Sequence, residues 1–136
     1  MTVTRATEAR PSRFVLGITG IAGAVTLAIG VWALVDTDSF ADFADFGHHA
    51  HFLHDIGAFQ IGLGSMLLIA TVWRDALATV LAAFLIGNTI HVGTHIADSD
   101  LGGSASQWIS LALLSLAIAA ALIVRLRELG GATRRP

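Results

Sequence analysis

The chain has 136 residues, of which 54% are apolar and only 13% charged, with a mean hydropathy of +0.73. That balance lies far from a soluble globular domain and marks a membrane protein. A net charge of -2 with no internal basic run argues against nucleic acid, and the absence of cysteine excludes disulfides, iron–sulfur clusters and thiolate metal sites.

Four apolar stretches, near Phe14–Leu34, Phe52–Val72, Ala76–Ile96 and Trp108–Val124, are each about 20 residues long, the length that crosses a hydrocarbon core of ~30 Å. They predict an all-α polytopic protein: an up-down bundle of four transmembrane helices. Residues 1–13 form an N-terminal tail, 14–126 the membrane domain with an interfacial loop at 36–50, and 127–136 a C-terminal tail. The apolar run of the first span is longer than the core of a signal peptide, so it is expected to be retained. All eight basic residues are arginines, and all fall before the first span, between the second and third, or after the fourth. By the positive-inside rule both termini and the Arg74 turn are cytoplasmic in a multi-pass plasma-membrane protein, and the two loops rich in aspartate face outward. Trp73 then marks the inner interface and Trp32 and Trp108 the outer one.

In chain order, Pro11-Ser12 can open the first helix. Gly17, Gly20, Gly23 and Gly30 make that helix a packing helix, expected to set Gly20 and Gly23 near Ala58 and Gly62 of the second span. The segment Phe40-Ala41-Asp42-Phe43-Ala44-Asp45-Phe46 predicts a short interfacial helix with Phe toward lipid and Asp toward water. Asp75 is expected to cap the third span and Ser104 or Ser106 the fourth, with Gly130-Gly131 after its end.

All six histidines form two clusters, His48, His49, His51 and His54 beside Asp55, then His91 and His95. At roughly 1.5 Å per residue, His54, His91 and His95 all stand about 25–32 Å from the Arg74 turn, so the clusters share one layer at the outer leaflet. Within each cluster the polar side chains share a helical face, and ionisable groups there are costly against lipid. A site between the second and third spans follows, with His51, His54, Asp55, His91 and His95 as ligands and an open position. Imidazole with carboxylate suits Zn, Fe or Cu, and Asn88 and Asp98 can accept from the outer ring nitrogens. His48 and His49 read as solvated loop residues.

Haem b held by His54 and His91 is the rival cofactor, although it leaves Asp55 and the other histidines unexplained and finds no arginine for its propionates. A proton relay or pH sensor is a third use. A metal with an open position could hydrolyse a lipid with Asp55 or Asp98 as base, or oxidise a lipid or quinone, and whether the chain is an enzyme stays open. The HxxH and HxxxH spacings resemble the histidine boxes of membrane desaturases, but are fewer and at the opposite face. The segments HFLHDIGAFQIGLG, WRDAL and GNTIHVGTHIADSDLGG, within a span from His51 to Trp108, resemble small four-helix actinobacterial membrane proteins of unknown function. That resemblance implies the four-helix plan and no activity. Partners beyond the bilayer would be a second copy or a larger membrane complex, in which the chain serves as an accessory subunit.

Overall fold

The computed structural model describes residues 9–101 and 104–132. Arg5, Arg134 and Arg135, counted above in the charge asymmetry, lie outside the described residues, as do Gly102 and Gly103. Five helices follow one another: α1 (Arg13–Val35), α2 (Thr37–Ala44), α3 (Ala50–Val72), α4 (Leu77–Ala97) and α5 (Ala105–Ala132). All but α2 are long and apolar enough to cross a membrane, and the chain is a small integral membrane protein built as an all-α four-helix bundle.

Local chemistry sets the helix ends. Ser12 caps α1, its hydroxyl accepting from the Val15 amide. Asp36 closes α1 by donating its amide to the Trp32 carbonyl and opens α2 by accepting from the Ser39 amide. The tight α1–α2 corner therefore needs one residue. α2 stops at Asp45, which adopts the left-handed conformation (φ 53°) that Asp tolerates better than most side chains. At the start of α5 the Gln107 side chain reaches back to the Ser104 amide, half of a capping box. Two expected signals are not used. α4 starts from Ala76 without a side-chain cap, so Asp75 does not serve there. α5 also runs through Gly130 and Gly131 to Ala132, because Arg125 and Glu128 anchor its last turns against the rest of the bundle.

The bundle is two antiparallel pairs, α1 with α3 and α4 with α5, joined mainly through α1 and α5. The first pair meets through glycine. A Cβ on Gly64 would lie 2.5 Å from the Leu27 amide nitrogen, and one on Gly30 would lie 2.7 Å from the Gly57 carbonyl. Gly23 opposes Gly64 and Gly30 opposes Gly57, a heptad repeat of small residues on each helix that lets the backbones touch. The expected contacts of Gly20 and Gly62 are corrected by this register, since nothing would approach a Cβ on either.

Two separate cores result. Val15, Ala22, Leu67, Ala70, Leu77, Leu81, Phe84, Ile118 and Ala121 draw all four long helices together at the arginine-bearing end. At the opposite, acidic end Ala33, Phe40, Ala41 and Leu53 join only α1, α2 and α3. Phe40 is thus 7% exposed rather than lipid-facing, because the first turn of α2 folds back over the α1–α3 pair. Phe43 stays 61% exposed beside Trp32, and Phe46 stacks on Phe52.

Candidate functional site: a groove between α3 and α4

Because the four-helix core stops short of the acidic end, the helix pairs part there and leave a cavity of about 500 Å³. α3 contributes Leu53, Ile56 and Gln60 to its wall, α4 His91 and His95, α2 Phe40 and Phe43, and α5 Ser106, Gln107 and Ser110, with Ser104 just before it. Beside it, a second cavity of about 350 Å³ is lined by His91, Thr94, His95, Asp98 and Asp45. Gln107 ties the rim together by donating its side-chain amide to the Phe43 carbonyl.

The expected location, between the second and third spans at the end away from the arginines, coincides with this groove. The expected ligand set does not assemble in it. His51, His54 and Asp55 lie on the exposed side of α3, whose buried face is Leu53, Gly57, Gly64, Leu67 and Ala70. The glycine register with α1 fixes that rotation and turns Leu53, Ile56 and Gln60 toward α4 instead. His51 and Asp55 form a loose pair, 3.8 Å apart, with the His51 side chain 95% exposed. The His54 Nε2 is 3.2 Å from the Thr37 hydroxyl, and neither cavity lined by His91 includes His54, the two residues a bis-histidine haem would share. Among the described residues no group of three or more histidine or acidic side chains is placed to hold a metal ion.

Asn88 is likewise committed elsewhere. It is buried, and its side-chain amide donates to the Leu111 carbonyl and the Ser115 hydroxyl at 2.8 Å each, which locks α4 to α5. Asp98 ends α4 with its amide on the Thr94 carbonyl and is one of the residues lining the smaller cavity.

One pair does come together. His91 and His95, one turn apart on α4, bring their Nε2 atoms to 3.2 Å with ring centroids 4.8 Å apart, on the wall of both cavities. His48, expected to be merely solvated, is a clip: its Nδ1 meets Asp38 at 3.0 Å and its Nε2 meets Asp42 at 3.1 Å. Hydrogen bonds to Asp38 and then Asp42 raise its pKa above the ordinary 6.5. The Asp42 and Asp45 spacing in the sequence pointed to solvation. Only the fold shows that Asp38 and Asp42, one turn apart, bracket a single imidazole.

No protein-family model, curated protein or solved structure matches this chain. The groove's own chemistry therefore carries the functional argument.

Proposed function

We propose that this membrane protein binds a neutral amphiphile of the lipid or quinone class in the groove between α3 and α4, with His91 and His95 meeting its polar end. The groove itself carries this reading. Its volume of about 500 Å³ falls in the range of ligand sites, about 300–1,000 Å³, and its wall divides into a mainly apolar side from α1, α2 and α3, with Gln60 as its one polar side chain, and a mainly polar side from α4 and the start of α5. An apolar tail and a hydrogen-bonding head fit that division.

Charge selects the head. No arginine lines either cavity, and Asp45 and Asp98 stand at the rim, so a phosphate or carboxylate would be held without a counter-charge. Imidazole, hydroxyl and carboxamide groups instead donate to a carbonyl or hydroxyl oxygen. With the arginines inward, the groove opens in the outer half of the bilayer.

Trp32 reports on the groove, since its ring lies 4.9 Å from Phe43 in the wall. In protein carrying Trp73→Phe and Trp108→Phe, a short-chain benzoquinone is expected to quench Trp32 saturably. Ile56→Phe, which fills the groove, is expected to weaken that quenching at least tenfold. Displacement by diacylglycerol would assign the site to lipid, and its failure to a quinone. Quenching that rises linearly with quinone, or is unchanged by Ile56→Phe, would remove the proposal.

A further inference from the structure

We infer that His91 and His95 form a two-point anchor for one divalent late transition ion of the Zn²⁺ or Cu²⁺ class. This stands on the pair's own geometry and does not depend on the groove's ligand. Two imidazole nitrogens bound to one ion at about 2.0–2.1 Å sit about 2.9–3.4 Å apart for bond angles between a right angle and a tetrahedron. The two Nε2 atoms are 3.2 Å apart. Rings that radiate from such an ion place their centroids about 4.5–5.2 Å apart, and the separation is 4.8 Å. Both distances therefore fit one shared centre.

The setting suits an ion as well. The smaller cavity, about 350 Å³, brings Asp45, Thr94 and Asp98 to the pair beside the apolar Ala44, Phe46 and Leu101, so it offers polar partners and room for coordinated water. Asp98 follows His95 by three positions and His91 by seven, which puts all three on one helical face. With no third ligand in place among the described residues, the remaining positions belong to water or to an oxygen of a bound molecule. Imidazole nitrogens favour Zn²⁺, Cu²⁺ and Ni²⁺ over Mg²⁺ and Ca²⁺. Of the six histidines, these two alone pair with each other: His48 is held by Asp38 and Asp42, His51 faces Asp55, and His54 meets Thr37.

The test is a titration of the full chain in detergent, first washed with chelator, with Zn²⁺ followed by elemental analysis and with Cu²⁺ followed by electron paramagnetic resonance. One equivalent is expected, with nitrogen hyperfine structure on the copper signal. His91→Gln and His95→Gln should each weaken binding at least tenfold while His48→Gln and His51→Gln leave it unchanged, all four melting with the parent protein. Uptake below about a tenth of an equivalent would overturn the inference, leaving the pair as a hydrogen bond between two rings, and so would equal losses in His51→Gln and His95→Gln. Quinone quenching of Trp32 repeated on the chelator-washed protein separates the two claims: it survives if the groove alone binds the amphiphile, whatever the metal result.

Discussion

Asn88 shows how a single polar group is spent inside this bundle. Its two N–H groups are both satisfied by α5, and hydrogen bonds between membrane helices contribute about 0.6 kcal/mol on average and about 1.7 at most. Asn88→Ala is therefore expected to lose about 1 kcal/mol in a detergent unfolding titration, and Ser115→Ala less, because the Leu111 carbonyl would remain as a partner. That Asn88, His91 and His95 share one stripe of α4 was legible from their spacing. Which neighbour each one meets was not, since Asn88 turns to α5 while His91 and His95 line the groove, and a helical wheel carries no information about the second helix. His48 adds a pH prediction. Because Asp38 and Asp42 raise its pKa above 6.5, the imidazolium clip on α2 is complete below about 6.5 and is lost as pH rises through the raised value. An NMR titration should place the His48 midpoint above 6.5, with Asp38→Asn moving it down.

At the scale of the element, the backbone contact between α1 and α3 decides everything the acidic end can do. Gly23 and Gly30 meet Gly64 and Gly57, so α3 turns Leu53, Ile56 and Gln60 toward α4 and leaves His51, His54 and Asp55 outside. The glycine content of the first span announced a packing helix, and the first three membrane helices were legible to within two residues, whereas α5 runs on to Ala132, well past the expected end at Val124. The glycines that pack were not, because Gly17, Gly20 and Gly62 have the same composition and open space around them. The assumption that ionisable residues must face inward also fails for the first two turns of α3, where a helix beginning at Ala50 is still close enough to water to hydrate them. Gly64→Ala must push its methyl against the Leu27 backbone and is expected to cost about 1–3 kcal/mol, as overpacking does. Gly62→Ala, next to Ile61 in sequence yet in open space, should leave the melting temperature unchanged.

The whole molecule is closed at one end and open at the other, and Arg125 holds the closed end. Its guanidinium, 2% exposed, donates to the Ala9 carbonyl at 2.6 Å, to the Arg74 carbonyl at 3.3 Å and to Glu128, whose carboxylate also accepts from the Ser12 amide. The chain before α1, the α3–α4 turn and α5 are thereby fastened together below the four-helix core, and Arg125→Leu is expected to cost about 2 kcal/mol by taking the donor from the Ala9 carbonyl and leaving the Arg74 carbonyl only the Leu77 amide. With every described arginine gathered at this end, the positive-inside rule predicts the clasp in the cytoplasm and the groove on the outer face. The lack of any native cysteine makes this measurable without background. Ser99→Cys, exposed beyond α4, should react with a membrane-impermeant maleimide in intact cells, whereas Asp75→Cys, exposed in the turn between α3 and α4, should react only after the membrane is opened. The reverse pattern would put the groove and its histidine pair in the inner half, where a ligand would have to arrive from the cytoplasmic leaflet.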